Sequence, residues 1–459
     1  MNAFQIKLEA MVDKLRTEIV SGMRKPGSFL PAESQLAKDF QMSNKSVRKG
    51  LDILVEEGLI VKIDRVGSVV AESKAQTITL NFGCSYSMNN DILLDELLAE
   101  FTRLHPSIHI KKVSLDIHHY VKSIKEMSAN DMLDVVCLNS AMLQDMAESG
   151  MLSLLEPVET NDELYPIANE AFRYDNRMYA SPISLSPVLL CYNRQHFAEV
   201  GLQEPDSYWT WDDVIAAGRS LAEYRNKHGF YFQVLSRNRY PVFLLQAGIQ
   251  VLKDGEERAG SREMLVDSIR TFCRMIGDQD IFPKYFAASN EETNQLFIRG
   301  DVSMILSTYY NLNQFNELPL DYDIAPLPTF RRGDSQKSLL VTFGTAIMKN
   351  SRSKEAGRQL LRFLSSPHAQ RMIHERTVSI PAFKSIADKP AANGLNRPSR
   401  YMMYRELFPT YAYHRDLGVS IQTLKAVEQK IKYYWSGVLD ERQFQDSVAD
   451  LLLSKDMKL

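Results

Sequence analysis

A chain of 459 residues exceeds one ordinary domain of roughly 100 to 200 residues, so two or three compact units are expected. Its 44% hydrophobic and 24% charged content excludes a disordered or fibrous chain, and a formal net charge of -3 excludes a polycation. Any nucleic-acid surface must therefore be a local patch.

The four cysteines, Cys84, Cys137, Cys191 and Cys273, show neither C-x-x-C nor Cys/His ligand spacing, which argues for reduced, buried thiols over a disulfide framework or a zinc site. The opening "MNAFQIKLEAMVDKLRTEIVSG" is interrupted by charges every few residues, so it lacks the apolar core of a signal peptide. No stretch approaches a membrane span. A cytoplasmic protein without membrane contact is expected.

In chain order, Leu8, Met11, Leu15 and Ile19 recur at helical spacing and predict an amphipathic first helix, ended by Gly22 and the Pro26-Gly27 turn. "LPAESQLAKDF" predicts a short second helix behind Pro31, with Leu36, Ala37 and Phe40 inward. "QMS" is a turn, and Ser43 is placed to cap a third helix. There Val47, Leu51, Leu54 and Val55 face the core, while Lys45, Ser46, Arg48 and Lys49 lie opposite, and Gly58 closes the helix. The runs "LIVKI" and "SVVAE", joined by Asp64-Arg65-Val66-Gly67, predict a β-hairpin.

Three helices and a hairpin predict a winged helix-turn-helix, whose third helix enters the major groove. Cationic donors and small hydroxyls at its start suit phosphates and guanine edges. By charge alone, Lys45, Arg48 and Lys49 fit a solvated helix face as well; the order of turn, cap, helix and wing favours a DNA reader. This stretch closely resembles the N-terminal domain of GntR-family transcriptional regulators, carried by "IVSG", "PGSFLPAESQLAKDF", "SNKSVRKGLDILVEEGLI" and "VGSVV".

The resemblance implies groove and phosphate contacts from Lys45, Ser46, Arg48 and Lys49, with Glu33 and Ser34 near the DNA backbone and Gly67 in the wing. Asn44 stands where the family usually carries arginine, and Arg65 where glycine is common. An asparagine can read adenine and a wing-tip arginine can enter a narrow minor groove, so an altered operator is expected.

"ESKAQT" is polar and without apolar period. The expected organisation is a reader over residues 1–72, a linker over 73–77 and a second part over 78–459. There "ITLNFGCS", "IHIKKVSL" and "LDVVCLN" predict strands, alternating with helical "DILLDELLAEFTRLHP" and "SAMLQDMAESGML". This predicts an α/β fold with a mainly parallel sheet. No G-x-S-x-G, phosphate-loop, G-x-G-x-x-G or H-E-x-x-H motif occurs, so neither an enzyme nor a cofactor is expected. Adjacent His118 and His119 point to different sides and suit a metal poorly.

"LDVVCLNSAMLQDMAESGMLSLLEP", "MYASPISLSPVLLCYNRQHFAEVGL", "YWTWDDV", "LFIRGDVSMILSTYYNLNQF", "YDIAPLPTF" and "GTAIMKNSRSKEAGRQLLRFLSSPHAQR" follow in the order of sugar ABC-transporter solute-binding proteins of the maltodextrin-binding type. Residues 78–459 resemble that family. The resemblance implies two α/β lobes of the type II periplasmic-binding-protein kind, joined by crossings at "YASPISLSP" and "IAPLPTF", with a carbohydrate in the cleft. By position the cleft includes Tyr86, Asn139, Ser140, Ser184, Ser186, Arg237, Asn238, Tyr310 and Asn311.

Amides, hydroxyls and aromatic faces suit a saccharide. Tyr310 fits a stacking platform or a buried tyrosine with a bonded hydroxyl, and Ser184 and Ser186 fit either cleft or plain strand serines. Arg237 and Arg239 raise an acidic sugar held by a guanidinium, with surface arginines as the alternative. Trp209 and Trp211 are expected in the core.

The function implied is a cytoplasmic, homodimeric regulator whose binding to a double-stranded operator responds to a sugar. Two other classes remain: a GntR-type regulator carrying a pyridoxal-phosphate aminotransferase domain, and an exported solute receptor. The first lacks a Schiff-base lysine context and a phosphate cup; the second has no use for the reader.

Overall fold

The computed structural model describes residues 3–64, 66–71, 77–248, 261–334, 336–390 and 394–453, with the side chains of 3–6 and 261–262 left out. Contacts divide the chain into two compact units. One comprises residues 1–80 with 96–111, the other 81–95 with 112–459, so the division does not fall simply at the expected linker. Wing-tip Arg65 and most of that linker lie outside the described residues.

In the first unit, helices α1 (Ala3–Val20), α2 (Glu33–Asp39) and α3 (Asn44–Glu56) precede a hairpin of β1 (Ile60–Ile63) and β2 (Gly67–Val70). The strands pair antiparallel from Ile60 opposite Val70 to Ile63 opposite Gly67. Met11, Val12, Leu15, Leu30, Leu36, Val47, Leu51, Leu54, Ile60 and Val70 form one core, drawn from all five elements and the Leu30 turn. This is the expected winged helix. Gly50 makes the α1–α3 crossing close, because a Cβ there would meet the Met11 methyl at 2.3 Å.

Arg16 on α1 grips Glu57 past the end of α3 through Nε at 3.0 Å and Nη2 at 2.6 Å. Gly58 follows with φ +70, as a helix-closing glycine requires. Two inward and outward assignments need correction. Val55 is exposed, and Ile53 is the residue partly packed on the core. Ser46 is buried and takes no outward position, because the cap geometry at Ser43 turns its hydroxyl back into the helix start.

In the second unit the long central strand β6 (Ser181–Asn193) organises two lobes. Before it in sequence come β3 (Ile78–Cys84), α4 (Ser87–Ile92), α5 (Leu94–Leu104), β4 (Ile108–Ser114), α6 (Tyr120–Ser128), β5 (Val135–Asn139) and α7 (Ser140–Glu148), of which most of α5 and β4 groups with the first unit. After it come α8 (Trp211–Arg225), β7 (His228–Tyr231), β8 (Val302–Thr308), α9 (Tyr309–Leu312), β9 (Tyr322–Ala325) and β10 (Ser338–Met348). Helix "DILLDELLAEFTRLHP" is split in two, since Leu93 takes the left-handed conformation at φ 60.

The sheet runs β7-β8-β6-β10-β5-β3, and β9 also pairs with β6. It is mixed, which corrects the expected mainly parallel sheet. β3 and β5, and β7 and β8, are parallel, but β6 and β10 return between the lobes and lie antiparallel to their neighbours. The first crossing is where "YASPISLSP" placed it. The second is completed by β10, whose Leu340 lies opposite Pro187, rather than by "IAPLPTF" itself.

Trp211 is buried in the second lobe as expected, its indole N–H donating to Gln246 at 2.8 Å, and Trp209 is half-buried beside Phe197. Thr210 and Asp213 form a capping box that starts α8. α8 then lies on β7 with glycine against glycine: a Cβ on Gly229 would fall 2.2 Å from the Gly218 carbonyl oxygen. Backbone cannot swing aside as a side-chain tip can. Gly229→Ala should therefore destabilise the second unit by about 3 kcal/mol, the upper end for overpacking, read as a lowered Tm in a thermal melt of the whole chain.

Candidate functional site

The first candidate surface is the start of α3. The Ser43 hydroxyl accepts the Ser46 N–H at 3.2 Å and pairs with the Ser46 hydroxyl at 2.8 Å, fixing the first turn. From that turn Asn44, Lys45, Arg48 and Lys49 project as exposed side chains. A helix N-terminus presents unpaired N–H groups and positive dipole, so cations here add to an anion-binding end. Ser34 is exposed at the start of α2, and Gly67 is exposed in the hairpin at φ +138.

Glu33 reaches across to Arg48, carboxylate to Nε at 2.6 Å. Arg48 is exposed and Glu33 half-buried, so the pair contributes at most about 1 kcal/mol. It does hold the guanidinium to one side and place a negative charge beside the helix start.

The second candidate is the cleft of the two lobes. Ser184 and Ser186 lie on β6, fully buried; the Ser184 hydroxyl pairs with the Tyr310 hydroxyl at 3.0 Å, and the Tyr310 backbone N–H donates to the Ser186 hydroxyl at 3.2 Å. Tyr310 is 4% exposed with its ring against Phe343, centroids 4.9 Å apart. It is thus a buried tyrosine with a bonded hydroxyl, and its burial pushes the phenol well above its usual range.

The remaining positions scatter in role. Tyr86 is 87% exposed. Asn139 caps α7 by accepting the Met142 N–H at 2.9 Å, while Ser140 is buried with an unpartnered hydroxyl. Arg237 lies 3.7 Å from Glu428, and its carbonyl oxygen contacts His414 Nε2 at 2.8 Å. Asn238 and Asn311 are half-buried. His118 and His119 are exposed, the four cysteines are buried and free, and no group of three or more His, Cys, Asp or Glu among the described residues is arranged for a metal ion.

Sequence reasoning missed the residue that joins the lobes. Asn313 follows α9, and its amide nitrogen lies 3.0 and 3.2 Å from the carbonyl oxygens of Asn90 and Asp91 on α4 and 2.9 Å from the Ser379 hydroxyl. Its oxygen accepts the Val378 N–H at 2.7 Å. Ser379 in turn donates to the Asp91 carbonyl. One side chain of the second lobe thereby fastens the helix after the first strand.

Asp91 was missed too. Its carboxyl is pushed up to about 7 by burial, offset by the positive field of Arg239, whose own burial brings it down to about 9. "YYNLN" and "MNNDILL" carried the only available signals, polar side chains clustered just beyond strand ends.

Residues 96–396 match the family described as bacterial extracellular solute-binding protein, and residues 7–70 match bacterial regulatory proteins of the gntR family. A binding protein of Brucella abortus (strain 2308) is 25% identical over 61% of this chain and 70% of its own length. The galactooligosaccharide-binding protein of Bacillus subtilis is 21% identical over 62% and 69%.

The mannosyl-D-glycerate transport/metabolism system repressor MngR of Escherichia coli is 38% identical over 64 residues, 14% of this chain and 27% of that protein. Among solved structures, maltose-bound MalE3 of T. maritima superposes with a TM-score of 0.69 at 17% identity, over 82% of this chain and 99% of that one. Neither matched family is an enzyme family, and an aminotransferase domain is not favoured. The chain belongs to the bacterial extracellular solute-binding protein family, and carries a GntR-type winged helix-turn-helix at its N-terminal end.

Proposed function

We propose that this chain is a cytoplasmic transcription regulator in which residues 1–72 bind an operator, residues 73–77 link, and residues 78–459 sense an oligosaccharide between two lobes. The observation that carries the reading is the union, in one chain, of a capped helix presenting Asn44, Lys45, Arg48 and Lys49 with a two-lobed fold fastened across its cleft by Asn313. A DNA reader has no use outside the cell, which disfavours an exported receptor. No helix among the described residues is long and apolar enough to cross a membrane. An oligosaccharide is supported by the galactooligosaccharide-binding relative and by the maltose in the matching structure.

The mechanism is a difference of affinities. A ligand that prefers closed lobes shifts the population toward closure, and linkage requires that closure then alter operator affinity. In a homodimer, half-sites stand about 34–36 Å apart per helical turn, so modest changes in the spacing of two readers alter the fit.

Three expectations test the reader. On an operator selected from random duplex, Lys45→Ala should weaken binding across sequences and flatten its salt dependence, whereas Asn44→Ala should relax preference at one base pair, each by about 1–3 kcal/mol. Glu33→Gln should free Arg48 and tighten binding to unrelated duplex. If both substitutions at α3 leave binding unchanged, this face does not read DNA. For the sensor, Asn313→Ala removes the cross-lobe fastening, so scattering profiles should show a more open second unit and the affinity for a bound oligosaccharide should fall about tenfold or more.

A further inference from the structure

A second link between the lobes is charged. Helix α7 belongs to the first lobe, since it continues directly from β5. A late helix, α10 (Ile421–Trp435), belongs to the second: the Tyr240 hydroxyl, beyond β7, donates to its Leu424 carbonyl oxygen at 2.7 Å, and its Trp435 packs edge-on against Phe282. The end of α7 meets the start of α10. Lys425 Nζ lies 3.0 Å from Asp145 Oδ2, the Gln422 amide nitrogen lies 3.3 Å from Asp145 Oδ1, and the Ile421 backbone N–H donates to Glu148 Oε2 at 2.7 Å. Within α7, the Gln144 amide nitrogen holds Glu148 Oε1 at 2.6 Å.

Asp145 is 8% exposed, and among the described residues both partners of its carboxylate stand on α10. A buried carboxylate needs donors, because an unmet charged group retains its desolvation penalty. The donors it has come from the other lobe. The start of α10 has the matching need. The Ser420 hydroxyl accepts the Thr423 N–H at 3.0 Å, which leaves the Ile421 N–H to find an acceptor elsewhere, and the helix dipole favours an anion at that end. Glu148 is that anion, and Lys425 adds a full positive charge opposite Asp145 one turn into the helix.

We infer that α7 and α10 form an electrostatic latch, built on the Asp145–Lys425 pair and the Glu148 cap, that populates the closed lobes without a ligand. All its members are groups of the chain itself, so the closure it supplies does not wait for one. By linkage, a ligand that prefers the closed form binds more tightly in proportion to the closed fraction that the latch maintains. The latch thereby sets the ligand concentration at which closure is complete. This goes beyond the proposed function and stands whatever the cleft binds.

The test measures lobe separation in the full chain without ligand. Lys122→Cys on α6 and Tyr224→Cys on α8 put spin labels at exposed positions of the two lobes, and the four native cysteines are buried. The distance distribution from pulsed dipolar spectroscopy is expected to be dominated by the separation found in this structure. Asp145→Lys and Lys425→Asp should each move weight to a second, open population and lower the closed-to-open ratio about tenfold or more, and the two together should restore the original distribution, as direct coupling requires. Glu148→Gln should lower the same ratio about threefold, the scale of a charge at a helix end.

A ligand-free chain that is open before any substitution overturns the inference. So do single variants that leave the distribution unchanged, and a reversed pair that stays as open as its singles. Lys425→Ala, at a half-exposed helix position, decides if the reversed-charge chains fail to fold: it should open the lobes by a similar factor, and an unchanged distribution overturns the latch.

Discussion

Thirteen residues, Ser181 to Asn193, hydrogen-bond into both lobes, and β8, β9 and β10 take their places against them. Their first half pairs with β10 and their second half with β8 and β9, so a single strand is a sheet member twice. All but Ser181 are buried. A strand buried on both faces cannot show the alternation of a half-exposed one, and "SPISLSPVLLCYN" accordingly reads as a continuous apolar run with serines inside it. Those serines are not idle: Ser184 and Ser186 bond to Tyr310 and fix where α9 begins, and with it Asn313.

The winged helix was legible almost residue by residue because its information is local. Ser43 caps, Gly58 closes, and the stripe of Val47, Leu51 and Leu54 needs only a 3.6-residue period to be found. The departures are of the same scale: the helical angle puts Ser46 on the outward face, but a hydroxyl three residues after a serine cap bonds back to it. Val55 failed for the opposite reason, since α3 is near its end and Ile53 fills the available core.

The second unit was legible in its elements and not in their pairing. Strand runs show in sequence, whereas the antiparallel return of β10 between β6 and β5 depends on which edge the chain meets after leaving the second lobe. The same applies to the site. Asn139 and Tyr310 could be placed by position along the chain, yet the bonds from Asn313 to Asn90 and Asp91 span more than two hundred residues, and no local pattern encodes them. What is missed is what the lobes do to each other.

That mutual action has a definite energetic form. The Asn313 and Ser379 bonds hold the lobes together, and the buried Arg239 Nη1, which has no hydrogen-bond partner, opposes that burial. A receptor dominated by the first term would remain closed whatever it met; one dominated by the second would never close. To move a population from 1:99 to 99:1, a ligand needs about 5.5 kcal/mol of preference for one state. A ligand that bonds to both lobes makes its full set of contacts only when the lobes are together, so that bonding is differential affinity. Opposing terms of this kind are what the proposed regulation requires, since only an equilibrium near balance can be decided by one small molecule.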